Sequence, residues 1–454
     1  MDTEFSLTKE SFNTKFAPLA ALGLYFRQDG SLKSFDQVTC ESGQADFAPA
    51  TKLIQVLCSI LAGCEYVYEV NSCLRSEKLL AHAWGFERYL EQSSLASGLN
   101  ELSRTNLDQL EQVSRSIWRL HSRSLSHDWR GFLRLELDLS GLPCGKQAEE
   151  SEKGYFSGEK NATGRQLARV SATQYAETIW SELYAGSRPS VSCLQPAVLA
   201  AESIFGLAPG EAAPKSAFDL ASKEAAPKSS FDLAADRRRW VLWRVDGGFG
   251  SDDKLIWLLA RNYQLIAKGF SGRRAEKLAR QVTRWNPYGD AWLGSVASPV
   301  DFGRDVFVWV KRRVEKGQFK HSYYLTTLKL HSLHAAMALY DQRGGTEVEQ
   351  FRNDKQGLHL SARRKHAFLA QKALVLLTDM AHNLLTDFHH RALVGSPFAD
   401  YAAKRIVRDL LAIEGNLVWE GERLVRVELC QANPYAKSFL DCLVRYCNGE
   451  KGVG

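Results

Sequence analysis

The stretch from Trp240 to Lys268 constrains the fold more than any other. LWRVDGGFGSDDKLIWLLARN (242–262) reads as a strand ending at Asp246, a glycine-rich turn and a helix beginning near Ser251, and Gln264–Lys268 supplies a second strand. A helix between two such strands implies that they run parallel in one sheet, since parallel neighbours need a long crossover. Gly247, Gly248 and Gly250 lack the GxGxxG order of a dinucleotide site; they let the backbone pass closely around Asp246. Upstream, LRLELDLS (133–140) alternates at the strand period, which puts Glu136 and Asp138 on one face. The fold class expected from these segments is α/β.

Around that core the periodicity changes. Residues 1–130 read as a mostly helical domain, with Ala50–Leu61 at helical spacing. Leu107, Leu110, Val113, Ile117 and Leu120 follow at three- and four-residue steps, behind an N-cap at Thr105 or Asn106. Residues 131–269 are rich in strand patterns, 270–327 combines basic residues with further strands, 328–395 returns to helices, and 396–454 is mixed. Within 270–327, DVFVWVKRRVEKGQFKHSYYLTT (305–327) reads as two strands around Glu315-Lys316-Gly317. Arg312 and Arg313, interleaved with Trp285, Trp292, Phe307 and Trp309, suit DNA-backbone contact and base stacking as well as an ordinary half-buried sheet. EAAPKSAFDLASK (211–223) is followed at once by EAAPKSSFDLAAD (224–236), a duplication in a surface segment that tolerates insertion.

Composition narrows the partners. A formal net charge of +6 permits a polyanion without requiring one. The nine cysteines include no CxxC pair, so reduced structural thiols are expected rather than a zinc framework. MDTEFSLTKESF lacks the basic and apolar regions of a signal peptide, and the apolar runs Ile54–Ala62 and Ala367–Leu385 fall short of a membrane span. A cytoplasmic protein without membrane attachment is the expectation.

One polar segment concentrates charge. In YDQRGGTEVEQFRNDK (340–355), Thr346 after the Gly344-Gly345 breaker can cap a helix with Glu347 and Glu349 early in it. Arg343 precedes that helix, and Arg352 and Lys355 follow one and two turns on. By itself this is a solvated, salt-bridge-laced helix start. Together with an acid at a strand end and another on a second strand, it could also complete a metal-binding point.

Asp138, Asp246 and the series Tyr340, Arg343, Glu347, Lys355 resemble the signature of the DDE transposases of bacterial insertion sequences, in the branch with a Tyr-x2-Arg-x3-Glu-x6-Lys element. DKQGLHLSARRKHAFLAQKALVLLTDMAHNLL (354–385) is similar to the tail of that family's catalytic domain, most closely the IS1380-type subgroup. Seven residues rather than six separate Glu347 from Lys355, which makes Glu349 a rival catalytic acid.

The resemblance implies an RNase H-like catalytic core (131–269 as its first part and 328–395 as its final part) with a β-rich basic insertion (270–327) and a helical N-terminal domain (1–130) for DNA-end binding or dimerisation. Asp138, Asp246 and Glu347 would be catalytic and would hold two Mg²⁺ ions, with Mn²⁺ able to substitute. Tyr340, Arg343, Lys355, Arg312, Arg313, Arg363, Arg364 and Lys365 would contact or orient DNA phosphates. The implied partners are double-stranded DNA, as terminal inverted repeats and target, and a second copy of the chain in the DNA complex. The implied activity is metal-dependent cleavage at transposon ends and strand transfer, by cut-and-paste, in a bacterial cytoplasm and on the nucleoid when DNA is bound. Two alternatives share these residues: a metal-dependent DNA nuclease without strand transfer, and a transposase-derived DNA-binding protein that has lost catalysis.

Overall fold

Segments near the two ends of the chain pair with each other. Strand β1 (Glu4–Thr8) runs parallel to β13 (Arg423–Cys430), whose other edge pairs antiparallel with β12 (Gly415–Glu420). This computed structural model describes residues 3–9, 11–39, 47–156, 159–207 and 237–449. The chain splits into two compact units, one of Met1–Ser122, Cys144–Glu150 and Phe351–Gly454, the other of Arg123–Pro143 and Ser151–Gln350. The duplicated segment 211–236 lies outside the described residues.

The first unit holds the three-stranded sheet and a helical core. Helices Ala17–Gln28, Pro49–Leu61, Arg104–His121, Phe368–Phe388 and Ala436–Asn448 bury their apolar faces together, through residues such as Leu22, Leu57, Leu110, Leu377 and Phe439. Arg104–His121 starts earlier than its periodicity suggests. Ser103 is the N-cap: its hydroxyl accepts from the Asn106 N–H at 3.2 Å, and Asn106 Oδ1 accepts from the Ser103 N–H at 3.1 Å. Asn106 does have capping chemistry, but applies it backwards from the third helical position.

Inside that core, Asp387 gathers polar partners. Oδ2 of Asp387 lies 2.9 Å from His121 Nδ1, accepts from the Tyr446 hydroxyl at 2.7 Å and is 3.2 Å from Arg391 Nη1. Burial alone would raise this carboxyl, but His121, Tyr446 and Arg391 outweigh it and hold it below the usual carboxylate range.

The second unit is built on one large sheet. Its strands are β2 (Leu133–Pro143), β3 (Glu152–Phe156), β4 (Glu159–Ala172), β5 (Glu177–Ala185), β6 (Val241–Val245), β7 (Gln264–Lys268), β8 (Asn286–Tyr288), β9 (Ala291–Val296), β10 (Phe307–Glu315) and β11 (Gln318–Thr326). They lie in the order β3-β4-β2-β6-β7-β11-β10-β9-β8, with β5 also on β4. The pairs β2/β6 and β6/β7 are parallel, the second joined by the crossover helix Asp252–Ala260, and the others are antiparallel. The strands of 270–327 continue the central sheet, because β11 pairs with β7. The β10/β11 hairpin turns at Lys316 and Gly317, with φ of 53° and 76°, the twin positive values that a tight two-residue turn needs.

One helix differs from expectation. Leu333–Gly357 is continuous through Gly344-Gly345, and so does not begin at Thr346. Each glycine costs about 1 kcal/mol against alanine in a helix, less than tertiary burial returns. Ala336, Met337 and Tyr340 are buried before the pair, and Phe351 and Asp354 after it. Among the described residues, no helix is long and apolar enough to cross a membrane.

A depressed folded-state value means that Asp387 contributes stability above its unfolded value of about 3.9, and that this is lost as pH falls through the lower folded value. Asp387→Asn should therefore cost about 1–3 kcal/mol at neutral pH. The difference from the parent should shrink below about pH 4, as followed by denaturant unfolding across pH.

Candidate active site

The register of two strands brings the first two acids together. On the parallel pair β2/β6 the last matched residues are Leu137 and Val245, and Asp138 and Asp246 each follow one residue later. Adjacent strands are about 4.8 Å apart, which makes these two acids immediate neighbours. Asp138 is partly exposed, and Asp246 sits where β6 gives way to a single 3-10 turn, Gly247–Phe249. In this turn Gly250 is the glycine that packing requires, because a Cβ there would stand 2.3 Å from the Lys268 carbonyl oxygen.

A helix then docks across both acids. The Tyr340 hydroxyl donates to Asp246 Oδ1 at 3.2 Å, and Arg343 Nη2 lies 3.6 Å from Asp138 Oδ1. Three-residue spacing puts these two side chains on one helix face. Burial pushes the Asp246 carboxyl up, but the Arg343 charge, the Gly247 N–H, Lys268 and Tyr340 more than offset it, so the group is held below its ordinary value. Tyr340 responds in the opposite sense: burial raises its hydroxyl far more than Arg343 lowers it, so the phenol stays a proton donor to Asp246.

Packing and one buried ion pair fix the helix in place. Ala336, Met337 and Tyr340 sit on Leu242, Ile266, Leu293, Trp309 and Tyr324, and the Tyr340 ring meets Tyr324 edge-on with centroids 4.8 Å apart. Behind the acids, Glu136 and Arg244 are paired residues of β2 and β6 and form a salt bridge, each 1% exposed. Thr173 Oγ1 donates to Glu136 at 3.0 Å and accepts from Arg244 Nη2 at 3.2 Å. Arg244 Nη1 also donates to the Leu339 carbonyl at 3.0 Å, which joins the strands to the residue before Tyr340. Sequence reading placed Glu136 on the face of Asp138 but missed Arg244. The signal was available: each of the two stands two residues before its aspartate, on the same strand face.

The remaining candidates divide. Glu347 and Glu349 lie on the same continuous helix, but the side chains of residues 344–350 are outside the described residues. Among the described residues there is no group of three metal-ligating side chains. Lys355 belongs to the other compact unit, with its ammonium 5.9 Å from the Phe351 ring centroid. Arg312 is packed among the rings of Trp285, Trp292 and Phe319, at 4.2, 5.2 and 5.0 Å from their centroids. Arg313 pairs with Glu315 at 3.2 Å on the exposed hairpin.

The Arg363-Arg364-Lys365 run splits by orientation. Arg363 was expected at a phosphate but is 3% exposed, with its terminal nitrogens donating to the Leu358 and Cys64 carbonyls. Arg364 is exposed and Lys365 half-buried. A charge run reads as uniformly solvated in sequence, whereas here one cation of three is folded inward.

Residues 235–448 match the family model described as transposase DDE domain, group 1, a span that contains Asp246, Tyr340, Arg343, Glu347 and Lys355 and begins after Asp138. The match supports a DDE transposase family. No curated protein matches the chain. Among solved structures, the cryo-EM structure of a piggyBac transposase synaptic complex with hairpin DNA is similar at 12% identity, over 87% of this chain and 79% of that one, with a TM-score of 0.47.

The buried pair makes a sharp stability prediction. Arg244→Met leaves Glu136 buried and uncompensated and should destabilise the chain by about 3–5 kcal/mol, whereas adding Glu136→Leu should restore most of that loss. Denaturant midpoints of the parent, the single variant and the double variant test this; equal losses in both variants would contradict it.

Proposed function

We propose that this chain is a DDE transposase that cleaves DNA at transposon ends and transfers the cut strand to target DNA, by a divalent-metal-dependent, cut-and-paste route. The observation that carries this reading is the adjacency of Asp138 and Asp246 on neighbouring parallel strands, with Tyr340 and Arg343 laid across them. The family match over 235–448 supports it independently of geometry. The order β5-β4-β2-β6-β7, three antiparallel strands continued by two parallel ones, supports an RNase H-like core. The Tyr-x2-Arg-x3-Glu series favours the branch that includes the IS1380-type subgroup.

The third acid in this reading is Glu347. It stands four residues after Arg343 and seven after Tyr340, a spacing at which helix positions share a face; Glu349, nine after Tyr340, falls on the opposite side. The donor chemistry fits hard divalent ions. Asp138 and Asp246 offer only carboxylate oxygens, and the environment of Asp246 favours its charged form. Asp138, Asp246 and Glu347 would hold Mg²⁺ or Mn²⁺, which would supply activation of the attacking oxygen and charge stabilisation on the departing one.

The chain's own groups do the positioning. Tyr340 keeps one oxygen of Asp246 oriented through its hydroxyl, and the Glu136–Arg244 pair sets the distance between helix and strands. Arg343 balances the charge of two neighbouring carboxylates and can turn its fork toward a phosphate. Terminal inverted repeats and target duplex are the DNA partners of this reading, and coordinated cutting of two ends calls for a dimer in the complex.

The test is a donor DNA carrying matched terminal repeats, incubated with Mg²⁺ or Mn²⁺ and scored for both cut and joined products. Asp138→Asn, Asp246→Asn and Glu347→Gln should each lower cleavage by about a hundredfold or more while retaining end binding, and Glu349→Gln should cleave like the parent. Loss confined to Glu349→Gln would reverse the choice of acid. Cuts that never lead to joined products would mark a nuclease instead.

A further inference from the structure

A second feature of the first unit has the chemistry of a ligand site. A cleft of about 500 Å³ is lined by Tyr66, Tyr68, Gln92, Arg363, Arg364 and Lys365 among others. That is a size suited to a ligand of a few tens of atoms and too small for a duplex.

One of its cations is turned into the fold. Arg363 is buried, and its two terminal nitrogens donate to carbonyls, not to a carboxylate. Its Nε has no hydrogen-bond partner among the described residues, which also place no carboxylate within ion-pair distance of it. Burial pushes this guanidinium down to about 10, so it remains a cation at neutral pH. The Glu69 and Glu65 carboxylates favour its charged form, and a bound anion would favour it further. Arg364 and Lys365 add two cations beside it. One oxygen of the nearby Glu69 carboxylate accepts from the Glu65 and Tyr66 backbone N–H groups at 2.5 and 3.2 Å.

The same cleft presents an aromatic platform. Tyr66 and Tyr68 stack with centroids 5.1 Å apart and an interplanar angle of 7°, and Tyr68 is 58% exposed. Paired rings beside cations are how proteins hold single-stranded nucleic acid, since every base has a face to stack and every nucleotide a phosphate. We propose that this cleft holds one unpaired nucleotide of a DNA strand, its phosphate against Arg364 and Lys365 over the buried Arg363, its base extending the Tyr66–Tyr68 stack. The proposal rests on the DNA-processing reading above and adds to it a site for DNA that is locally unpaired.

Full-length protein is titrated with labelled oligothymidine, with a blunt duplex and with thymidine monophosphate, at fixed salt. Tyr68→Ala should weaken oligothymidine binding about tenfold, and Tyr68→Trp should preserve it. Arg364→Ala should weaken it and reduce the salt slope by about one. Neither variant should change duplex binding, and the parent should bind the monophosphate far more weakly than the strand. Equal losses on duplex and single strand, no loss in Tyr68→Ala, or monophosphate binding as tight as the strand would each overturn the proposal, the last by marking a free-nucleotide pocket. Asp138→Asn should bind oligothymidine like the parent. If no DNA is ever cut or joined while Tyr68→Ala still loses the oligonucleotide, the transposase reading fails and the cleft stands.

Discussion

The parallel register of β2 and β6 is the constraint on which the candidate site depends. It sets Glu136 opposite Arg244 and, one residue beyond their neighbours, Asp138 beside Asp246. The same pairing therefore places a buried ion pair and, farther along the same face, a more exposed pair of acids. A slip of one residue would turn every side chain of a strand to the other face, which would leave Glu136 without its cation and separate the aspartates. The desolvation cost of burying Glu136 and Arg244 thus falls on any wrong register, a use of buried charge in which specificity matters more than net stability.

The electrostatics beyond that pair are arranged in layers. Arg244 answers Glu136 in the interior, and Arg343 reaches Asp138 from the docked helix. Lys268, at the end of the next parallel strand, adds to the potential that keeps Asp246 charged. Two neighbouring carboxylates would otherwise raise each other's proton affinity. Arg343 from the helix and Lys268 from the strand favour the charged form of Asp246, in which it can act as a hard ligand or as an acceptor.

Much of this was readable where local pattern and tertiary demand agree. The strand-helix-strand unit around Asp246 and the Lys316-Gly317 hairpin follow from periodicity and turn chemistry, and both stand in the structure. The late helix was misjudged because Gly344-Gly345 speaks only of local propensity, while buried residues on each side of it decide the outcome. Arg363 was misjudged for the complementary reason. A run of like charges contains nothing about which member the backbone will turn inward. The Glu136–Arg244 pair was half legible: the place of each two residues before an aspartate is a sequence pattern, whereas their facing each other depends on register. The helices of residues 17–121 share one core with Phe368–Phe388 and Ala436–Asn448, and periodicity does not reveal which amphipathic faces meet.

The pairing of β1 with β13 bears on how the polypeptide is made. One unit is assembled from Met1–Ser122, Cys144–Glu150 and Phe351–Gly454, so that most of it is synthesised either before or after the other. The intervening unit can complete its sheet during translation, but Glu4–Thr8 must wait until Arg423–Cys430 has been added before its hydrogen bonds can close. Throughout that interval the early helices carry apolar faces without their late-arriving counterparts. Nascent-chain protection by chaperones and the pace of elongation therefore weigh more heavily on this protein than on one whose domains are consecutive.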